Sequence, residues 1–350
     1  MIQKMAFDKF DSLGEKVIEG YQLTDDDLRT LLSLESEEDL ERLYSAARKV
    51  RDHYFGNRVF LNCFIYFSTY CKNQCSFCYY NCRNEIHRYR LTMEEIKETC
   101  KALKGAGFHM VDLTMGEDPY YYEDPDRFVE LVQIVKEELG LPIMISPGLM
   151  DNATLLKARE KGANFLALYQ ETYDTELYRK LRVGQSFDGR VNARRFAKNQ
   201  GYCIEDGILT GVGNDIESTI LSLRGMSTNN PDMVRVMTFL PQDGTPLEGF
   251  RDKSNLSELK IISVLRLMFP KRLIPASLDL EGIDGMVHRL NAGANIVTSI
   301  LPPDSQLEGV ANYDRGLEER DRDIKSVVRR LEIMGMKPAR QADFETILGC

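Results

Sequence analysis

Cys71, Cys75 and Cys78 lie in the run Cys71-Lys72-Asn73-Gln74-Cys75-Ser76-Phe77-Cys78, spaced C-x3-C-x2-C directly after a strand-like segment. Three thiolates this close can hold three corners of a four-iron, four-sulfur cube. A [4Fe–4S] cluster normally takes four cysteines, and no fourth is spaced to complete the set. One iron is therefore left open, as a place where a small molecule can bind and be reduced. A zinc site wants four nitrogen or sulfur ligands, and the nearest histidine, His87, sits beyond a charged segment. A disulfide does not suit a chain that shows no secretory signal. Cys82, four residues past Cys78, is a spare thiol once the three-cysteine pattern is complete. Cys63, Cys100, Cys203 and Cys350 are scattered and read as small buried hydrophobes.

The cysteine run resembles that of the radical S-adenosylmethionine (SAM) superfamily, including an aromatic residue, here Phe77, just before the third cysteine. The resemblance implies that the open iron chelates the amino and carboxylate groups of SAM. One electron would then cleave the sulfonium to a 5′-deoxyadenosyl radical. The cofactors it implies are thus a [4Fe-4S] cluster held by Cys71, Cys75 and Cys78, and SAM.

Such a centre must be positioned by a fold. After helices over the first fifty-odd residues, where Thr24 and Asp25–Asp27 mark an N-cap, an apolar run from Val59 to Phe67 reads as a strand. Strands then alternate with helices: Met110–Thr114, Pro142–Ser146, Phe165–Tyr169, Ile204–Thr210, Met233–Phe239, Leu273–Leu278 and Asn295–Ser299 follow helices near Met93–Ala106, Asp126–Leu139, Asn152–Lys161, Phe187–Asn199, Asp215–Met226, Leu256–Phe269 and Ile283–Leu290. Eight such units predict an α/β fold, a (β/α)8 TIM barrel. An N-terminal helical extension is expected over residues 1–57 and the barrel over 58–350, closed by a helix at Asp321–Met336 and followed by a tail. Active residues then belong at the C-terminal ends of the strands, where the cysteine run already lies.

Composition narrows the class. Hydrophobic residues make up 43% of the 350, enough for a substantial core, and 45 basic against 54 acidic residues give a net charge of −9. No clustered basic surface suggests nucleic acid, and no stretch approaches the ~20 apolar residues of a membrane span. The first sixteen residues are amphipathic and mixed in charge, unlike a signal peptide. The expectation is a soluble cytoplasmic protein.

Several strand ends carry polar side chains. Met115-Gly116-Glu117-Asp118-Pro119 follows the second strand, Ile145-Ser146-Pro147 ends the third, and Tyr169-Gln170-Glu171-Thr172 ends the fourth. The first resembles the Gly-Gly-Glu motif of radical SAM enzymes, with Met115 in place of one glycine; the third resembles the acid of biotin synthase and the HydE-type hydrogenase maturase, where an arginine follows some twenty residues on, as Arg190 does here. The resemblance implies that Glu117 receives the SAM amino group, that Glu171 contacts SAM and that Arg190 pairs with its carboxylate, with Arg182 as the alternative arginine. Ser146 is expected on the ribose or methionine part, or as a turn serine, and Phe77 near the adenine.

Asp112 and Arg235 interrupt apolar strands, and Ser277 and Asp279 flank Leu278. Buried charges need partners, because an unpaired one costs several kcal/mol. Either these residues pair with one another, as Arg235 with Asp279, or they bind a zwitterion. Two acids and one arginine match two ammonium groups and one carboxylate, the charges of a diamino acid such as lysine or ornithine.

The motifs together resemble the biotin synthase and HydE-like branch, and the chain over its whole length resembles the methylornithine synthases of pyrrolysine biosynthesis. That resemblance implies a radical lysine mutase, which turns L-lysine into (3R)-3-methyl-D-ornithine by fragmentation and recombination and draws on an external electron donor. Asp112 would hold the side-chain ammonium, Arg235 the carboxylate, and Ser277 with Asp279 the α-amino group, in a buried cavity on the barrel axis sealed by loops. The alternative is another enzyme of the same branch, inserting sulfur or maturing a metallocluster. Sulfur insertion needs a second cluster with cysteines on inner strands, and the strand ending at Ser146 offers none.

Overall fold

The computed structural model describes residues 12–305, 307–310 and 321–349. Three helices, α1 (Leu13–Ile18), α2 (Asp25–Leu32) and α3 (Glu37–Phe55), come first. Thr24 caps α2 in a reciprocal box with Asp27, and Ser36 caps α3 through Asp39. Eight strands follow: β1 (Arg58–Ser68), β2 (Met110–Met115), β3 (Ile143–Ser146), β4 (Ala163–Ala167), β5 (Cys203–Thr210), β6 (Met233–Thr238), β7 (Pro275–Ser277) and β8 (Ile296–Ile300). Between them run α4 (Met93–Leu103), α5 (Pro119–Glu123), α6 (Pro125–Leu139), α7 (Asn152–Glu160), α8 (Thr175–Leu181), α9 (Phe187–Asn199), α10 (Ile216–Thr228), α11 (Glu258–Met268) and α12 (Gly282–Asn291). Of these, α5 and α8 were not foreseen, because five and seven residues are too short for an apolar stripe and are started by the caps of Asp118 and Asp174.

The strands are all parallel, in the order β6-β5-β4-β3-β2-β1-β8-β7. Only a single bridge, Met233 to Leu273, joins β6 to β7 and closes the barrel. That bridge is made by Val234 N–H to Leu273 O (3.0 Å) and Leu273 N–H to Asp232 O (3.1 Å), at the N-terminal edge of the sheet. Toward the C-terminal ends these two strands part.

Alternation along each strand sorts the side chains. On β1, Val59, Leu61, Cys63, Ile65 and Phe67 pack outward against the helices. Phe60 points inward and joins Met110, Met144, Phe165, Cys203, Met233, Leu273 and Ile296, one residue from each strand or its approach, in an apolar layer at the bottom of the barrel. Two residues further along, the same alternation places Asn62, Asp112, Ser146, Glu205, Arg235 and Thr298 inside, joined by Tyr169 and Ser277, which stand four residues past Phe165 and Leu273. The barrel interior is thus an apolar floor beneath a polar layer.

The chain after the closing helix, α13 (Ile324–Ile333), is not a tail. It forms β9 (Lys337–Pro338), which pairs with β1, and α14 (Gln341–Leu348). Phe344 of α14 is fully buried and plugs the floor, its ring 5.5 Å from that of Phe60. His109 ties this segment down: its Nδ1 accepts from Leu61 N–H (3.0 Å) and its Nε2 faces Ala339 O at 2.9 Å.

Candidate active site

The cysteine loop rises from the end of β1. Cys71 Sγ accepts from the backbone N–H groups of Asn73 (3.4 Å) and Glu117 (3.3 Å). Cys75 Sγ accepts from Gln185 Nε2 (2.9 Å) and faces Arg182 Nη1 at 3.7 Å. Burial pushes the Cys71 and Cys78 thiols up, and the neighbouring thiols push Cys78 further, so the three lie within one another's electrostatic reach. Three mutually repelling sulfurs with N–H donors aimed at two of them are a donor set that wants a cationic metal. Among the described residues no three His, Cys, Asp or Glu side chains are arranged to share one metal ion, and a cube presents a separate iron to each sulfur. Cys82 is exposed, and its backbone N–H donates to Asn73 O at 2.9 Å.

The turn after β2 presses on this loop. A Cβ on Gly116 would stand 2.3 Å from Tyr70 O and 2.8 Å from Cys71 Cβ, so only glycine permits the approach. The Glu117 carboxylate accepts from Leu149 N–H (2.9 Å) and lies 3.4 Å from Lys72 Nζ. Gly148, with φ +82°, leaves the room that Glu117 fills. Asp118 is buried and held by both arms of Arg90 at 2.7 Å.

A second set of charges gathers above β4. Glu171 has φ 66°, a left-handed conformation that costs a non-glycine residue on the order of 1 kcal/mol or more. Its carboxylate is ion-paired with Arg182, while its Oε2 has no hydrogen-bond partner among the described residues. Arg190 gives Nε to Tyr169 O (2.9 Å), and its Nη1 is likewise buried and unpartnered. Burial, with the adjacent Arg182, depresses Arg190 to about 10. Of the two arginines weighed from the sequence, Arg182 is the one that pairs with Glu171, and Arg190 keeps an unused donor. The Phe77 ring lies 5.5 Å from the Arg182 guanidinium.

The polar layer is where the structure departs most from expectation. Arg235 does not pair with Asp279; it gives Nε to Glu205 Oε1 at 2.7 Å. Glu205 was missed, although a carboxylate inside a buried strand, here beside Asp206, is the same kind of signal that singled out Asp112. Asp112 is fully buried, accepts from the Ser146 hydroxyl (2.8 Å) and leaves Oδ2 without a hydrogen bond among the described residues. Burial and then Glu205 push its carboxyl up to about 7. Asp279, just past the end of β7, is met by Ser277 Oγ and Ser299 Oγ at 2.7 Å and by Arg322 Nη2 at 2.8 Å. Burial opposes its ionisation, but Arg322 and the two hydroxyls outweigh that and hold it below the usual carboxylate range. Arg322, a second residue not foreseen, follows the segment 311–320 that lies outside the described residues.

A cavity of about 310 Å³ is lined among others by Phe77, Cys78, Thr114, Ser277, Asp279 and Arg322, while Asp112, Glu205 and Arg235 are not among its lining residues. It opens where β6 and β7 part, and Glu258 and Arg289, ion-paired at 2.6 Å, line both it and a larger cavity of about 930 Å³ alongside. Of the residues with orphaned buried atoms, Asn62, Asp112, Thr114, Glu171, Arg182, Arg190 and Arg235 lie at or above the polar layer, and Arg159, Arg194 and Asn295 lie elsewhere. Buried polar groups are normally satisfied, so this concentration marks a place shaped for polar ligands. The other buried inner cysteine, Cys203, sits in the apolar floor, and Cys63 faces the helices, so neither stands near this cavity.

Residues 65–223 match the Radical SAM superfamily model. The chain is 95% identical over all 350 residues, covering all of both sequences, to a 3-methylornithine synthase of Methanosarcina barkeri (strain Fusaro). It is 84% identical, again over both full lengths, to a 3-methylornithine synthase of Methanosarcina acetivorans. A crystal structure of methylornithine synthase (PylB) superposes with a TM-score of 0.94 at 96% identity, over 96% of this chain and 100% of that one.

Proposed function

The chain belongs to the 3-methylornithine synthase family of the radical SAM superfamily, and from that premise we propose that it isomerises L-lysine to (3R)-3-methyl-D-ornithine for pyrrolysine biosynthesis. The observation that carries this reading is the shared cavity, whose lining includes Cys78 and Phe77 together with Ser277 and Asp279. Cluster-side and substrate-side groups open into one space.

Cys71, Cys75 and Cys78 would hold the [4Fe-4S] cluster. Glu117, Glu171, Arg182 and Arg190 would seat SAM, the free Nη1 of Arg190 suiting a carboxylate, with Phe77 against the adenine. When bound, cluster and SAM supply an electron and a 5′-deoxyadenosyl radical able to take a hydrogen from the substrate. An external electron donor and a cytoplasmic location complete the proposal.

The chain's own residues do the rest. Within the layer and just above it stand three carboxylates, Asp112, Glu205 and Asp279, and two guanidiniums, Arg235 and Arg322. Fully ionised they sum to −1, the complement of a diamino acid with two ammonium groups and one carboxylate. Asp112 Oδ2 offers an acceptor to the side-chain ammonium, Arg235 Nη2 a donor to the carboxylate, and Asp279 with Ser277 a site for the α-amino group. The Ser146 hydroxyl steadies Asp112, which argues for a place on the substrate side rather than on SAM. Burial excludes water, which confines fragments that must recombine.

The test is reaction of the anaerobically reconstituted, reduced protein with SAM and L-lysine. A new diamino acid of unchanged mass, separated by chromatography, is the expected product; sulfur incorporation or no isomer overturns the reading.

A further inference from the structure

We propose that Glu205 is a positioning residue of the substrate site: it clamps the Nε edge of Arg235 so that the opposite end of the guanidinium, Nη2, is presented to the substrate carboxylate. The inference rests on the reading of Arg235 given above and adds the residue that aims it.

Glu205 is fully buried and is not among the residues lining either cavity described above, so it is placed to act on a ligand through others. One carboxylate oxygen accepts from Arg235 Nε at 2.7 Å, and the other accepts from the Tyr169 hydroxyl at 3.0 Å. Both oxygens are therefore fixed. Arg235 Nη1 donates to Thr298 Oγ1 at 3.3 Å. A guanidinium is a rigid planar fork; with Nε and Nη1 committed, the direction of Nη2 is set, and Nη2 is the nitrogen left without a partner among the described residues. The rings of Tyr169 and Phe64 lie 5.7 and 5.9 Å from the guanidinium centre and limit its swing.

The backbone makes room for this clamp. Gly207, two residues past Glu205 and paired with Arg235 across the sheet, has no side chain; a Cβ there would meet Tyr169 Cδ1 at 2.9 Å and Arg235 Cβ at 3.4 Å. The gap lets Tyr169 lie over β5 and reach Glu205. A counter-charge alone would need neither the hydroxyl on the second oxygen nor the gap.

The experiment measures binding of L-lysine and of cadaverine, which is lysine without its carboxylate, to the reconstituted enzyme with SAM. The preference for lysine reports carboxylate recognition, and it is independent of how much protein folds. Arg235→Lys should lower that preference; if it does not, the assignment of Arg235 is wrong and this inference falls with it. With that established, Glu205→Asp keeps the charge but withdraws it by one methylene, and is expected to lower the preference roughly tenfold, the worth of a charged hydrogen bond. Glu205→Gln keeps an acceptor for Nε without the charge, and is expected to hold the preference within about threefold of the parent. If Glu205→Asp does not fold, Tyr169→Phe, which frees the second oxygen, should lower the preference in the same direction. An unchanged preference in Glu205→Asp or, in its place, Tyr169→Phe, or an equal fall in the Asp and Gln variants, overturns the inference and leaves Glu205 a counter-charge only.

Discussion

The Arg182 guanidinium is ion-paired with Glu171 Oε1 through one nitrogen, while another lies 3.7 Å from Cys75 Sγ and donates to Gln185 Oε1 at 3.4 Å. A single side chain thus connects the buried Glu171 carboxylate with a sulfur of the cysteine loop. Arg182 caps the end of α8, so this short helix sets its reach. Removing the arginine leaves a buried carboxylate uncompensated, which costs about 3–5 kcal/mol. Arg182→Ala is expected to lose about that much stability in denaturant unfolding of the apo protein. Arg182→Ala combined with Glu171→Gln should recover part of it, and a purely additive loss would show that the two are not coupled.

The cysteine loop sets the iron count. Anaerobic reconstitution is expected to give about four irons per chain and one cluster's absorption. Replacing Cys71, Cys75 or Cys78 by alanine should abolish it, whereas Cys82→Ala should leave it unchanged. Gly116→Ala should also lose it, since a Cβ there collides with Tyr70 and Cys71. Iron near eight per chain would restore a two-cluster, sulfur-inserting enzyme.

With Asp112 at the proposed substrate site, lysine binding is expected to depend on pH. Its carboxyl stands near about 7 because it is buried and faces Glu205 from β5, against the smaller opposing pull of Ser146 from β3, Arg235 from β6 and Thr114 on its own strand. An ammonium needs the ionised form, so lysine affinity should rise up to about tenfold per pH unit below that value and level off above it. The folded carboxyl lies above its unfolded value of about 3.9. The stability it lends the apo protein is therefore full below that value and is lost as pH rises through about 7. Asp112→Asn should flatten both profiles, as isothermal titration and thermal unfolding across the range would record; an unaltered binding profile would remove Asp112 from the substrate site.

The floor of the barrel carries a separate prediction. Phe344 packs against Phe60 and His109 with no exposure to solvent. Phe344→Ala should cost about 3–5 kcal/mol in denaturant unfolding, without altering the iron bound per folded chain.

Much of this was legible in the chain. The cysteine spacing, the strand–helix alternation and the charges at Asp112, Arg235 and Asp279 are local patterns, and each survives intact in the structure. Strand ends moved by a residue or two: Pro142–Ser146 became Ile143–Ser146, and Leu273–Leu278 shrank to Pro275–Ser277. The larger shortfall lay at the C-terminus, where Lys337–Leu348 read as a tail. Those residues have too few apolar positions to announce a helix on their own, and Phe344 acquires its importance only from the ring of eight strands that it plugs.

What the sequence by itself determined is which residue types stand at which strand ends, because period-two alternation and glycine spacing are properties of neighbours along the chain. Which charge faces which was decided by the tertiary structure. Glu205 and Arg235 are thirty residues apart and Asp279 and Arg322 are forty-three; only the stagger of parallel strands brings the first pair within 2.7 Å and turns Arg235 away from Asp279. Partner choice among buried ions depends on distance and orientation in three dimensions, and no spacing in the chain encodes either.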